Sequence, residues 1–364
     1  MTRTECYLAL NSVRLIGPVR VRRLLESLGS VEAILSAPAS RLAAVDGVGP
    51  EAARAITEWE KNWDLAGELA AIARLGLRVI DQEDPAYPAL LKEIYDPPLV
   101  LYYRGDLTAC NRRPIAVVGS RHTSHYGQEM AKKLAYQIAY AGLTVTSGLA
   151  RGIDTFAHQG ALAAKGRTVA VLGCSLDQVY PPENRALADM IAEQGGALLS
   201  EFPLGTPPDR QTFPMRNRIV SGLSTGLVVV EAGEASGALI TARMALDQGR
   251  NVFAVPGRID QPHAKGCHRL IKEGAKLVEG VEDILNESGL LLPPGPDEGK
   301  RPWPEDLTPA ERKILEAMDL DEIALDALIQ KCGLPSAVVT PTLLRLEMRK
   351  LVRQLPGKTF VKTD

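Results

Sequence analysis

Between about residues 110 and 285 the sequence predicts a doubly wound α/β domain. Two observations predict it. Short, β-branched-rich apolar runs recur at 115–118, 144–146, 168–172, 197–199, 227–230 and 252–255, and helical segments at 129–141, 155–164, 184–193 and 238–248 separate most of them. The runs are apolar throughout instead of alternating with polar residues. Strands of that kind are covered on both faces, as in a parallel sheet sandwiched between helices. A further strand is expected at 99–104, led in by Pro97-Pro98. The domain as a whole is taken as 76–292.

Residues 1–75 read as short helices with a weak internal repeat. Ile16-Gly17-Pro18-Val19 precedes Val21, Leu24 and Leu25, and Val48-Gly49-Pro50-Glu51 precedes Ala52, Ala55 and Ile56. In both copies Gly permits a tight turn, and Pro then takes the first helical position, where its missing N–H is not needed. With Asp46-Gly47 ahead of it, the second copy has the form of a SAM-like helix-hairpin-helix, whose exposed amides can hold a DNA phosphate. The alternative is a hairpin kept for packing, which the lack of Lys or Arg within the hairpin itself favours.

Residues 293–304 contain five prolines and two glycines and form a stiff linker. Beyond it, 305–364 reads as three helices and a hairpin. Thr308-Pro309-Ala310-Glu311 is a capping box opening a helix to about Met318. A second helix over 325–331 stops at Gly333, and a third carries Leu343, Leu344, Leu346 and Met348. Pro341 either starts that third helix, with Thr340 as its cap, or kinks it. A hairpin then spans 351–362 around Pro356-Gly357. The combination is that of a winged helix.

The 364 residues are 45% hydrophobic and 24% charged, with a formal net charge of -2. A disordered chain is excluded by that composition. No run of 18 apolar residues offers a membrane span, and no apolar h-region stands near the N-terminus. Five cysteines lie far apart without a Cys-x-x-Cys pair, which fits a reducing cytoplasm and leaves no cysteine zinc site. The near-neutral total does not exclude nucleic acid, because charge is unevenly spread. Residues 111–280 hold nineteen Lys and Arg against fourteen Asp and Glu.

In a doubly wound sheet, ligands bind beyond the carboxyl ends of the strands. The segments there are Gly119-Ser120-Arg121, the run from Ser147 and Gly148 through Arg151, Gly152 and Asp154, a long loop with Phe213-Pro214-Met215-Arg216-Asn217-Arg218, then Glu231 to Ser236-Gly237, and Pro256-Gly257-Arg258. Small residues that let amides approach, joined to arginines, suit a phosphate. Gly119 to Ser124 does not reproduce the dinucleotide fingerprint and no P-loop string occurs, so no nucleotide cofactor is expected. His263 and His268 lack an acidic ligand pattern, so no metal is expected, and His158 sits alone on a helix. Asp154 reads as the cap of the following helix. Glu231 is the best placed carboxylate for catalysis, yet it could equally tether Arg216 or Arg218. Arginines without a nucleophile–base pair point to binding and not turnover.

These strings, with Val171-Leu172-Gly173, Tyr180-Pro181, Ser200-Glu201 and Pro256-Gly257, resemble the DNA-processing protein A family (DprA, also called Smf), in order through about 97–285. The resemblance implies a Rossmann-like central domain and a cytoplasmic, non-enzymatic protein. Such a protein binds single-stranded DNA, protects it during natural transformation and loads RecA recombinase onto it. A homodimer through the Rossmann-like domain is implied as well. By motif, Gly119, Ser120 and Arg121 hold backbone phosphates, and Gly148, Arg151, Gly152, Arg216, Asn217, Arg218, Ser236 and Gly237 line the same pocket. Some members carry a phosphate-contacting lysine after the Tyr-Pro pair; here Pro182-Glu183 stand there, with Arg185 or Arg210 to replace it. Tyr180, Phe202 and Phe213 are the rings near enough to stack on bases. Two other readings stand beside this one. One is a nucleoside-monophosphate phosphoribohydrolase-like enzyme, whose Pro-Gly-Gly-x-Gly-Thr loop is not reproduced. The other is a duplex-binding winged-helix regulator, disfavoured by eight acids in 305–326.

Overall fold

The structure, a computed structural model, describes residues 1–287, 307–318, 323–349, 351–355 and 359–362. The chain divides into two compact units, Met1–Pro293 and Pro294–Asp364. The proline-rich segment 293–304 and the Pro356-Gly357 turn lie outside the described residues.

The first unit opens with α1 (Arg3–Ser12), α2 (Pro18–Leu28), α3 (Val31–Ser36), α4 (Ala39–Ala43), α5 (Gly49–Thr57), α6 (Trp59–Asn62) and α7 (Leu65–Arg74). Thr2 and Glu5 form a reciprocal capping box on α1. Pro18 and Pro50 sit in the first turns of α2 and α5, as the repeat predicts. The first repeat supplies the cations that the second hairpin lacks: Arg20 Nε donates to the Gly47 carbonyl at 2.8 Å, and Arg23 pairs with Asp46 at 3.0 Å. Tyr7, Leu10, Leu24, Ile34 and Ile56 share one core with Val100, Tyr102, Ala170 and Leu198 of the sheet. These helices therefore cover part of a sheet face. Thr4 Oγ1 donates to Asp81 at 2.7 Å and Tyr102 Oη to Glu68 at 2.8 Å, pinning them there.

Nine strands follow: β1 (Arg78–Asp81), β2 (Val100–Gly105), β3 (Ile115–Val118), β4 (Val145–Ser147), β5 (Thr168–Val171), β6 (Ala197–Ser200), β7 (Gly226–Val229), β8 (Asn251–Ala254) and β9 (Lys276–Leu277). Their order is β1-β2-β6-β5-β4-β3-β7-β8-β9. The pairs β1–β2 and β2–β6 are antiparallel and the others parallel. The connecting helices are α8 (Ala89–Lys92), α9 (His125–Tyr140), α10 (Ile153–Ala163), α11 (Arg185–Glu193), α12 (Thr212–Gly222), α13 (Gly237–Asp247), α14 (Lys265–Lys272) and α15 (Val281–Glu287). The parallel part starts in the middle at β3 and runs outward to β6. It then returns to β7 on the other side of β3, so the β3–β7 junction is the topological switch point.

One segment is of a different type from the sequence reading. The segment holding Phe213 to Arg218, expected as a loop, begins helix α12. Pro214 lies within its first turn, where no N–H partner is lost. Ile219, Val220 and Leu223 then pack against the sheet.

The second unit is a winged helix: α16 (Pro309–Ala317), β10 (Ile323–Ala324), α17 (Leu325–Cys332), α18 (Ser336–Met348), β11 (Val352–Leu355) and β12 (Thr359–Lys362), with strand order β10-β12-β11. Thr308 and Glu311 form the expected capping box, and Gly333 closes α17 at φ 62°. Helix α18 starts at Ser336 and passes through Pro341, so Thr340 is not its cap. Its first turn is anchored on the Pro335 carbonyl, which accepts from Val338 and Val339 at 2.8 and 3.1 Å. Ile314, Leu328, Val339, Leu343, Leu346 and Phe360 form the core.

Candidate nucleic-acid interface

A cavity of about 470 Å³ opens at the switch point, beyond the carboxyl ends of β3, β4 and β7. Three backbone segments shape it. Gly119 and Ser120 leave β3 with the Ser120 amide donating to the Glu231 carbonyl at 2.7 Å. A Cβ on Gly119 would collide with Ile153 and the Glu231 carbonyl, so only glycine fits. Gly148 and Ala150 follow β4, and their amides donate to Asp154 Oδ2 at 3.1 and 3.3 Å. Ser236 caps α13, accepting from the Ala238 amide at 3.3 Å, and Gly237 opens that eleven-residue helix onto the cavity. Its amino end favours an anion.

Two arginines set the charge. Arg216, only 4% exposed, donates through Nη1 to the Gly148 and Val171 carbonyls. Gly148 has no Cβ because one would fall on that guanidinium. Burial pulls the Arg216 pKa down; the Asp154 carboxylate opposes that pull, and neighbouring Arg121 adds to it. Asp154 is buried as well, and desolvation pushes its carboxyl up against the opposing effect of Arg216. Arg121 is exposed, its guanidinium 4.7 Å above the Phe213 ring. Asn217 lines the wall beside it and accepts from Arg216 Nε at 3.3 Å.

The aromatic side chains continue this arrangement away from the cavity. Phe213 meets Tyr180 at 6.0 Å between centroids, tilted by 44°, and the Arg151 guanidinium lies 5.9 Å from the Tyr180 ring. The rim thus alternates cation, ring, ring, cation. Phe202, by contrast, is buried.

Several expected residues lie elsewhere. Arg218 does not line the cavity: it is held by Glu201, by the Asp96 carbonyl at 2.8 Å and by the Asp96 carboxylate at 3.3 Å. Its side chain projects from the opposite face of α12 from Arg216. Arg151 stands at the far end of the rim, paired with Glu183, which holds that carboxyl below its ordinary range. Arg185 and Arg210 are exposed and do not line the cavity. Gly152 supports it from behind: at φ 76° its backbone abuts the Ser120 and Arg121 carbonyls.

Asp154 is not the helix cap. Gly152 holds that position, and Asp154 reaches back to the preceding loop. Glu231 tethers neither Arg216 nor Arg218. Its oxygens accept from Thr123 Oγ1 at 2.6 Å, the Ser124 amide at 2.8 Å and Ser124 Oγ at 2.7 Å. His158 is buried behind β4 and β5 with Nδ1 2.7 Å from Thr168 Oγ1. That hydroxyl already donates to the Val145 carbonyl at 2.8 Å, so His158 carries its proton on Nδ1. Burial lowers its pKa to about 3. His122, Gly233, Ala235 and Thr241 complete the lining without having been singled out in the sequence. Only their place after β3 and β7 could have suggested them.

The fold defines a doubly wound α/β protein with a cationic switch-point cavity, a helix-hairpin-helix region before the sheet and a winged helix after it. Residues 78–289 match the family described as DNA recombination-mediator protein A, residues 298–358 the DprA winged helix domain, and residues 7–58 the SAM-like helix-hairpin-helix tandem. The chain belongs to the DNA recombination-mediator protein A family, DprA or Smf. It is 36% identical to Protein Smf of Synechocystis sp. over 97% of both chains. It is 46% identical to the DNA processing protein DprA of Bacillus subtilis, over 60% of this chain and 74% of that one. Among solved structures it resembles DprA of Streptococcus pneumoniae, with a TM-score of 0.69, 37% identity and coverage of 79% of this chain and 98% of that one. It also resembles DNA processing protein A of Helicobacter pylori, whose structure is described by its single-stranded DNA binding mode. There the TM-score is 0.53 and the identity 29%, over 58% of this chain and 95% of that one.

Proposed function

We propose that this chain binds single-stranded DNA, with one backbone phosphate in the switch-point cavity and bases along the rim. The observation that carries the proposal is the row Arg121, Phe213, Tyr180 and Arg151, which leads out of a cavity holding a buried arginine. Rings beside cations hold single strands without regard to sequence, since every base has a stacking face. Arg121, Arg216, Asn217 and the amides of Gly119 and Gly237 are read as the phosphate site, with Ser120 and Gly148 shaping its walls and Ser236 fixing the helix end. The single-stranded DNA binding of the H. pylori protein supports this reading. The wider role inferred with it is that of a non-enzymatic cytoplasmic homodimer, protecting incoming DNA in natural transformation and loading RecA onto it. Pairing through the Rossmann-like domain draws support from β9, an edge strand with an exposed Leu277.

Anisotropy titrations with a labelled oligonucleotide and its duplex at matched salt test the reading. Tighter binding of the single strand is expected, and equal or tighter binding of the duplex would overturn it. Release of free base from adenosine monophosphate would return the hydrolase reading to consideration.

A further inference from the structure

A second cavity, of about 600 Å³, lies on the other side of the loop that follows β3, at the carboxyl ends of β7 and β8. Val230, Val255, Pro256 and Ala264 give it apolar walls, and Gln261 and His263, with the charged Glu231 and Arg258, give it a polar edge. We propose that this cavity binds a nucleobase, with adenine the best fit. Its volume falls in the range of small-molecule sites, and apolar walls meeting one polar edge suit a flat heterocycle. A glutamine amide can donate and accept at once, which matches the N6 and N7 atoms of adenine. His263 turns Nε2 toward Glu231 Oε1 at 3.4 Å, which leaves Nδ1 for a ligand.

The cavity is joined to the phosphate site through Glu231. Its carboxylate holds Thr123 and Ser124, and its carbonyl holds Ser120, so one residue clamps both ends of the loop bearing Arg121. A strand with a phosphate in the first cavity has the second one loop away. The choice of nucleobase rests in part on the single-stranded DNA reading, while the cavity itself does not.

Deoxyadenosine, which has no phosphate, is the probe, followed by chemical-shift or calorimetric titration of the full chain. Saturable binding is expected in the wild type and in Arg121→Ala. It should be lost in Gln261→Trp, which fills the cavity, and weakened about tenfold in His263→Ala. No saturation up to the solubility limit, or undiminished binding in Gln261→Trp, overturns the proposal. An oligo(dA) titration distinguishes the source. Weaker oligonucleotide binding in Gln261→Trp assigns the site to a base of the strand, whereas lost nucleoside binding with unchanged oligonucleotide affinity assigns it to a free nucleoside. Oligonucleotide binding that depends on Arg121 without any nucleoside binding would remove this proposal and leave the single-stranded DNA reading standing.

Discussion

Replacing Arg121 with alanine separates a phosphate contact from a structural role. The guanidinium is exposed and rests on the Phe213 ring, not on a carboxylate. Its removal therefore breaks no internal ion pair, and the fold is expected to be unaffected. On single strands each neutralised phosphate contributes about 0.7 to the slope of log K against log salt. Arg121→Ala should thus flatten the slope by about 0.7, and the wild-type advantage in affinity should shrink about 2.6-fold between roughly 50 and 200 mM salt. Arg121→Lys keeps the charge and loses the planar fork, so it should bind more weakly with the wild-type slope. Fluorescence anisotropy with one labelled oligonucleotide across a salt series measures all three proteins. Parallel lines for wild type and Arg121→Ala, whatever their offset, would refute the phosphate assignment. An unchanged affinity would take the cavity off the path of the strand.

Gly148→Ala places a methyl group against the buried Arg216 guanidinium, which cannot move aside without giving up its bonds to the Gly148 and Val171 carbonyls, so both single-strand affinity and Tm should fall; an unchanged Tm by calorimetry would contradict that. Asp154→Asn keeps an oxygen for the Gly148 and Ala150 amides while removing the carboxylate lining the cavity, so single-strand affinity at neutral pH should rise several-fold in the same anisotropy assay. Arg218→Ala leaves the buried Glu201 carboxylate without its partner and should destabilise the fold by about 3–5 kcal/mol in denaturant titrations. His158 has a folded-state pKa of about 3, below its unfolded value, so the unfolded state takes up the proton first. The stability this group contributes is complete above about pH 6.5 and is lost by up to about 1.4 kcal/mol per unit as pH falls from there toward 3. Urea midpoints at pH 7, 6 and 5 should show a shallower decline for His158→Gln; equal slopes would count against this.

The parallel strands β3 to β8 were legible because each is a short, largely buried apolar run, and their observed limits lie within one or two residues of the sequence reading; β9, two exposed residues, was not read. Strand β1 was not read, since only two of its four residues are buried and its pairing with β2 is non-local. Helix α12 was hidden for a different reason. Phe213-Pro214-Met215-Arg216-Asn217-Arg218 looks like a polar loop, but two of its arginines are interior residues with carbonyl or carboxylate partners. The signals that could have found it are a proline confined to the first turn and the apolar spacing of Ile219, Val220 and Leu223. Much of the cavity lining was legible by residue type and by strand end, but the partners of these residues were not. Asp96 and Glu201 reach Arg218 from distant segments, and Thr123 and Ser124 reach Glu231 across more than a hundred residues. A single sequence does not encode those distances locally.

The structure also changes what the basic excess of residues 111–280 means. Of the five arginines in the site strings, Arg218 is neutralised by Glu201, Arg151 by Glu183 and Arg258 by Asp260. Arg121 and Arg216 remain, and among the described residues Asp154 is the one carboxylate lining the cavity with them. The positive potential thus comes from two cations in a concave, partly dry setting and not from a broad basic face. Such a site concentrates field lines on one anion. Arg216 is already held by two carbonyls, so ordering it adds little further entropic cost when the anion arrives. Few phosphates can be neutralised in this way, so stacking on Phe213 and Tyr180 has to supply much of the remaining affinity. On the single-stranded DNA reading, such a site predicts a shallow salt dependence for single-strand binding. Duplex DNA, whose bases are not free to stack on the rim, gains only the phosphate contact.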